Sequence, residues 1–194
     1  MRIIILFFCL TCQFCLAGPV TEPKFTGDWS EPTNGLRGRL LFAEGDKMPE
    51  GVRFGLVYLE LQNLAPGETL YVYYNAGRLP LHCELKDSKG NLVDPSLGAV
   101  SQFFPQSCWL ALPSDSSLRF RTGSSGSGPD YPCLFIISDF IAGKWAIPFN
   151  ATNDYYLSGT FSSISPTNDT RPHVWDGTLN LPPVKISMKS LTAR

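Results

Sequence analysis

Residues 54–93 read FGLVYLELQNLAPGETLYVYYNAGRLPLHCELKDSKGNLV and carry the clearest structural pattern in this chain. Apolar and polar side chains alternate in three separate runs of this stretch. Because successive side chains of a strand point to opposite faces, each run predicts a strand with one buried face. The residues predicted to face inward are Val57, Leu59, Leu61, then Leu70, Val72, Tyr74, then Leu81, Cys83, Leu85. We expect these three successive strands to seed an antiparallel sandwich.

Turn residues separate the runs. Asn63–Glu68 contains Asn, Pro and Gly, whose backbone preferences suit a turn. Asp87–Gly90 predicts a hairpin turn, because glycine adopts positive φ without steric cost. A helix would require apolar residues three and four positions apart, and this stretch has no such pattern.

Shorter apolar or alternating runs predict further strands along the rest of the chain. They lie at 36–42, 108–112, 118–121, 133–137, 145–148, 155–161, 178–181 and 184–188. Pro182 and Pro183 interrupt the closing pair and remove two ladder donors, which favours an edge position or a kink between sheets. The predicted fold class is therefore all-β, a single antiparallel β-sandwich with few or no helices.

The ends of the chain predict export. Met1-Arg2 precedes a short apolar run, and the small residue Ala17 follows it, which is typical of a secretory signal peptide. The next segment is rich in Pro and lacks periodicity, so it predicts a flexible arm with Phe25 and Trp29 as anchors. The predicted organisation is 1–17 signal peptide, 18–34 flexible N-terminal arm, 35–188 β-sandwich domain and 189–194 C-terminal tail. A secreted or periplasmic location follows.

Charge narrows the range of partners. The chain has 16 basic and 17 acidic residues, a balance that disfavours nucleic-acid binding and a polybasic membrane surface. After the signal peptide no second apolar run is long enough to span a membrane. The expected partner is a protein or a glycan; the pattern leaves the oligomeric state undetermined.

Three cysteines follow the signal peptide: Cys83, Cys108 and Cys133. The alternation turns Cys83 inward, where a buried thiol behaves as a small apolar residue. Cys108 and Cys133 bracket a Gly/Ser segment and are the favoured pair for a disulfide, although the absence of any bridge is the alternative. Their wide spacing differs from the close ligand pairs of a structural zinc site.

Catalytic patterns are scarce. His82 and His173 are the only histidines, and no G-x-S-x-G motif occurs. His82 and Glu84 share one face of a strand, which fits either a metal contact or a solvent-facing edge. A Cys-His pair or scattered carboxylates remain an open alternative. We expect no catalytic residue, no metal and no cofactor.

Two features suggest a binding surface. The Gly/Ser-rich segment 123–132 predicts a flexible loop, and its candidate partner-binding residues are Gly123, Ser125, Gly128, Asp130 and Tyr131. Tyr71 and Tyr73 face away from the buried side of their strand, whereas Trp109, Trp145 and Trp175 are spread along the chain. If exposed, these rings would form a sugar-stacking or protein-binding surface; the alternative is that they pack beneath loops.

Asn150-Ala-Thr152 and Asn168-Asp-Thr170 match the acceptor sequence for N-glycosylation. This reading applies only in a eukaryotic host.

Two stretches of the sequence together resemble a known class of protein. The first is LELQN at 59–63; the second is YLSGTF at 156–161, followed by WDGTL at 175–179 and VKI at 184–186. Their order resembles exported bacterial Ig-like sandwiches, including the BsuPI-type proteinase inhibitor domain. The resemblance implies an Ig-like fold without catalytic residues, and it transfers no functional residue. The paired prolines and the long Gly/Ser loop depart from that pattern.

Three hypotheses follow. The first is a non-catalytic secreted or periplasmic β-sandwich that binds a protein or glycan partner through loops. The second is a proteinase inhibitor of Ig-like fold that presents 123–132. The third is a hydrolase whose site is not visible in the sequence.

Overall fold

The computed structural model describes residues 23–47, 53–74, 81–95, 107–122, 133–139, 143–148 and 151–188 of the chain. In these ranges the regular structure consists of strands, and no helix there is long and apolar enough to cross a membrane. The strands are β1 (Phe25–Thr26), β2 (Leu36–Lys47), β3 (Arg53–Asn63), β4 (Leu70–Tyr74), β5 (Leu81–Asp87), β6 (Cys108–Leu112), β7 (Ser117–Arg121), β8 (Cys133–Asp139), β9 (Gly143–Pro148), β10 (Asp154–Ser163), β11 (Val174–Trp175) and β12 (Gly177–Ser187).

The strands form three sheets. The largest has the order β1-β2-β3-β8-β9, with β7 also paired to β3. The other two have the orders β12-β10-β5 and β11-β4-β6. Pairing is antiparallel except for β3 with β8 and β4 with β11, which are parallel. The predicted all-β class is confirmed, and these two parallel pairs are an addition that the sequence pattern did not indicate.

One hydrophobic core joins the sheets, as in a sandwich. Leu59 of the first sheet, Phe161 of the second and Val72 of the third are all completely buried in it. β2 lies directly against β12. At Gly38 the layers approach so closely that an added Cβ would lie 2.9 Å from Leu181 Cδ2. The interior is thus built from the inward positions of facing strands.

The stretch 54–93 forms β3, β4 and β5, and Leu59, Leu61, Leu81 and Leu85 are buried as predicted. These three strands nevertheless lie in three different sheets, so none pairs with the next.

Two strand pairs form one bent ribbon. β3 pairs with β7, and β4 pairs with β6, both antiparallel. Since β3 continues into β4 and β6 continues into β7, these pairs are successive parts of a single two-stranded ribbon. The ribbon passes from one sheet to another where 64–69 faces 113–116.

Asn63 holds this corner. Its side chain is completely buried and donates from Nδ2 to the carbonyls of Glu68 (2.7 Å) and Leu112 (2.9 Å). Its Oδ1 accepts from the Ala65 amide at 2.7 Å, and its own amide donates to Ser116 O at 3.0 Å. Every polar group of the side chain is therefore paired, which a buried amide requires.

The predicted turn at Asp87–Gly90 is confirmed. Gly90 has a φ of 86° and donates to Asp87 O at 3.0 Å. The Asp87 carboxylate accepts from the side chain and amide of Asn91 and from the amide of Lys89. These bonds, the Asn91 side chain first, hold the pKa of Asp87 below its ordinary value.

The closing strands are one element. Residues 178–181 and 184–188 were predicted as a pair, and they form the continuous strand β12 through Pro182 and Pro183. β12 lies at the edge of its sheet, as the prolines predicted. Its register with β10 shifts between Leu157 and Gly159, close to where the two prolines lie in the ladder.

Part of the predicted N-terminal arm lies along β2. The amides of Lys24, Gly27 and Ser30 donate to β2 carbonyls at 2.8–2.9 Å. Phe25 stacks on Phe42 with ring centroids 5.8 Å apart. The predicted flexibility of 18–34 stays a prediction. The predicted signal peptide 1–17 and the predicted tail 189–194 lie outside the described residues.

Candidate functional site

The outer face of β4 and β6 carries a group of aromatic side chains. On β4, Leu70 and Val72 point into the core, so Tyr71 and Tyr73 lie on the outer face and are half-buried. On β6, Leu112 is buried, which places Trp109 and Ala111 on the outer face. Strand register pairs Tyr73 with Trp109 and Tyr71 with Ala111.

The centre of this face is a ring pair. The centroids of Tyr73 and Trp109 are 5.0 Å apart, and the rings are tilted by 47°. This distance is within the range of favourable aromatic contacts between neighbouring strands. Both rings are partly exposed.

Arg171 completes the cluster from the segment between β10 and β11. Its Cζ lies 4.5 Å from the centroid of the Trp109 ring, in cation–π geometry. The Asp169 carboxylate pairs with the Arg171 guanidinium and accepts from the Arg171 amide at 2.8 Å. Asp169 therefore fixes the arginine in place. We call Tyr71, Tyr73, Trp109 and Arg171 the aromatic patch.

Polar and apolar groups border the aromatic patch. His173 Nδ1 lies 3.1 Å from Glu68 Oε2, and both side chains are about half exposed. Ile164 is 77% exposed, and its neighbour Ser163 donates to Tyr73 O at 3.0 Å. The patch is thus a partly exposed aromatic centre that includes the Arg171 guanidinium, and Glu68 and His173 lie in the segments that precede β4 and its neighbour β11.

The segment that carries Arg171 is tied down at both ends. At one end, both carboxylate oxygens of Asp176 accept from Ser165, through its amide at 2.7 Å and its hydroxyl at 3.1 Å. At the other end, Trp175 is buried, and its indole donates to Thr33 O at 2.8 Å. The His173 carbonyl also accepts from the Tyr71 amide at 3.1 Å. These contacts place the segment over the sheet.

The tryptophan side chains differ in burial. Trp145 and Trp175 are core residues, each 1% exposed, and each donates its indole N–H to a backbone carbonyl. Only Trp109 of the three tryptophans considered from the sequence lies on an outer face. Sequence alternation identified Tyr71 and Tyr73 as outward, but β6 is apolar throughout and carried no such signal for Trp109.

The structure describes only some of the residues that were predicted as sites. The loop residues Gly123, Ser125, Gly128, Asp130 and Tyr131 lie outside the described residues. Cys83 is buried as predicted, and Cys108 is exposed at the start of β6. The Cys133 side chain is not among those described, so the disulfide between Cys108 and Cys133 stays a prediction.

The described residues do not gather a metal site. Within the described ranges no group of three or more His, Cys, Asp or Glu side chains could hold a metal ion. His82 is exposed on the outer face of β5, in register with Thr160. His173 lies beside β11 in a different sheet and has a positive φ of 53°.

Sequence reasoning missed Arg171 entirely, because its position depends on how a long connection folds back over the sheet. It also treated Arg119 and Arg121 only as the outer positions of a half-buried strand. The same spacing occurs in Arg37 and Arg39. Two such Arg-x-Arg pairs on predicted strands were an available signal.

Known proteins supply no relative. No protein family, curated protein or solved structure matched the chain.

Proposed function

We propose that this protein is a non-catalytic, exported β-sandwich of Ig-like type that binds a protein partner through the aromatic patch. The observation that carries the proposal is the contact of Tyr73, Trp109 and Arg171 on an outer sheet face. Tyr, Trp and Arg are the residue types enriched among the energetically dominant residues of protein interfaces. An aromatic centre with a polar rim is the usual anatomy of such interfaces.

A protein partner fits the patch better than a sugar. Stacking on a sugar requires an open ring face, and the Trp109 ring already contacts both the Arg171 guanidinium and the Tyr73 ring. A protein surface instead can pack over the whole cluster and desolvate the guanidinium. Desolvation strengthens a cation–π contact.

The patch is also pre-organised. Asp169 holds Arg171, and cross-strand pairing holds Tyr73 beside Trp109. Binding then costs little side-chain entropy, which is one of the main costs of association. The export part of the proposal is supported by the signal-peptide pattern of 1–17, and the Ig-like part by the mostly antiparallel strands.

The proposal is tested by comparing partner capture from the native source by immobilised wild-type protein and by Trp109→Ala. A protein retained by the wild type and lost by the variant is purified, and its affinity is measured by calorimetry. We expect Trp109→Ala to weaken binding about 30-fold, since a dominant interface residue contributes about 2 kcal/mol. Tyr73→Ala should act in the same direction.

Tyr156→Ala is the matched control. Tyr156 is also a half-buried tyrosine on an outer sheet face, but it lies on β10 in another sheet. It should leave the affinity within about twofold. Equal affinity of the wild type and Trp109→Ala for every captured protein would contradict the proposal.

A further inference from the structure

A second outer face carries four arginines. On β2, Arg37 and Arg39 alternate with the buried residues Leu36 and Leu40 and so point outward. On β7, Arg119 and Arg121 occupy the outer positions of a strand that pairs with β3. β3 lies between β2 and β7, so all four belong to one face of the largest sheet. We call these four residues the arginine face.

Side chains of β3 orient the arginines. Arg39 Nε donates to Glu60 Oε2 at 2.6 Å, and Arg119 Nη2 donates to Glu60 Oε1 at 3.3 Å. Glu60 is nearly buried, with 8% of its side chain exposed. Arg37 Nε donates to the neutral Gln62 at 2.9 Å. One carboxylate therefore serves two guanidinium groups, and a third is held by an uncharged amide.

Trp29 fixes the first two arginines further. The Cζ atoms of Arg37 and Arg39 lie 4.6 and 4.3 Å from the centroid of its ring. In Arg37 and Arg39, Nε makes the hydrogen bond to the β3 side chain. The Nη groups of these two arginines have no hydrogen-bond partner within the part of the chain that the structure describes. These donors are free to bind a ligand.

Arg119 adds an independent sign of incomplete pairing. Its Nε is buried and has no hydrogen-bond partner among the described residues. Buried donors of this kind are rare in folded proteins. Arg121 is exposed at the end of β7 and, in the described structure, has no carboxylate partner.

The charge of this face contrasts with that of the chain. The formal net charge of the protein is −1, whereas the arginine face carries four guanidinium groups, of which only those of Arg39 and Arg119 pair with a carboxylate, that of Glu60. A guanidinium is planar, is weakly hydrated and forms paired hydrogen bonds with oxyanions. Several pre-oriented guanidinium groups on one sheet face suit a ligand that repeats such anions along an extended chain.

We propose that the arginine face binds a polysulfated polysaccharide. A nucleic acid suits it less, because nucleic-acid-binding domains are usually strongly basic and this chain has a pI of about 6.1. An acidic peptide also carries repeated anions, and its binding is compared directly in the test. The proposal does not depend on the aromatic patch, since it uses none of its residues.

The test uses residues 18–194, the chain without the predicted signal peptide. Its binding to a heparin oligosaccharide is measured by calorimetry at low and at physiological salt. The test variant is the double substitution Arg37→Gln and Arg121→Gln, which spares the contacts of Glu60. We expect it to weaken binding at least fivefold and to reduce the loss of affinity with added salt, because fewer charge contacts are screened. Arg121→Gln alone changes an exposed residue, should fold normally and should weaken binding at least twofold.

The matched control is the double substitution Lys86→Gln and Lys185→Gln. It removes the same charge from the β12-β10-β5 sheet. It should leave the affinity for heparin within twofold of the wild type.

Three results would overturn the proposal: no heparin binding by the wild type, equal weakening by the control, or an unchanged affinity in both arginine variants. Equal or tighter binding to a DNA oligonucleotide or a poly-glutamate peptide would also overturn the assignment to a polysulfated glycan. If the wild type binds no heparin but still binds its protein partner through Trp109, only the heparin proposal fails. The two proposals can therefore fail independently.

Discussion

Asn63 shows how much of this fold depends on one side chain. It lies at the corner where the bent ribbon leaves one sheet for another, and its side chain bonds three backbone groups there. These groups belong to both strands of the ribbon. The side chain thus replaces the ladder hydrogen bonds that the corner interrupts.

Asn63→Asp tests this role at nearly constant volume. The carboxylate still accepts from the Ala65 amide but cannot donate to Leu112 O, and it is buried. We expect the free energy of unfolding to fall by about 3 kcal/mol at pH 7, since an unpaired buried polar group costs about 1–3 kcal/mol and a buried charge costs more. Denaturant unfolding measures this difference.

Asn180→Asp is the control. Asn180 is exposed on the edge strand β12, so its substitution should change the free energy of unfolding by less than about 0.5 kcal/mol. If both aspartate variants unfold at the same denaturant concentration, Asn63 does not hold the corner.

At the scale of elements, the sequence predicted the strands better than their partners. The alternation of Leu59 and Leu61 with Glu60 and Gln62 identifies a strand and its buried face, because the side-chain period of a strand is two. That period carries no information about which strand lies alongside. Only the folded chain shows that β3, β4 and β5 belong to separate sheets.

The same limit applies to the candidate site. Tyr73 was identified as outward from its strand pattern, whereas Arg171 reaches Trp109 from a segment more than sixty residues away in sequence. Such a contact depends on the packing of Trp175 and on the hydrogen bonds of Asp176. Neither is a local sequence pattern.

Gly159 is the element-scale test. It lies in the central strand β10, opposite Cys83 of β5, and an added Cβ would lie 2.6 Å from His82 O. That oxygen belongs to the backbone, so the two strands would have to separate. We expect Gly159→Ala to lower the free energy of unfolding by about 1–3 kcal/mol, as overpacked substitutions do.

Ser158→Ala is the neighbouring control, because Ser158 lies on the outer face of the same strand. Its free energy of unfolding should stay within about 0.5 kcal/mol of the wild type. An equally stable Gly159→Ala variant would show that β10 and β5 do not approach as closely as described.

At the scale of the whole molecule, the bent ribbon links the two proposed surfaces. Its β3–β7 part carries Arg119 and Arg121 of the arginine face, and its β4–β6 part carries Tyr73 and Trp109 of the aromatic patch. Both groups lie on the side of the ribbon that faces away from the core. The corner at Asn63 therefore separates a charged outer face from an aromatic one.

This arrangement suits a protein that holds two different ligands. A polyanionic chain bound at the arginine face would concentrate the protein, and a protein partner would bind at the aromatic patch. Where the two ligands are themselves held together, occupying both sites raises the apparent affinity without any new contact.

The most direct test of the central claim is site-specific photo-crosslinking from Ala111. This residue is exposed on the outer face of β6, in register with Tyr71, so a photoreactive amino acid there lies within the aromatic patch. The same group at Asn180, on the exposed edge strand of another sheet, is the control. The account predicts a covalent adduct with one partner protein from position 111, absent from position 180 and abolished by Trp109→Ala. Adducts that form equally from both positions, or that persist after Trp109→Ala, would contradict it.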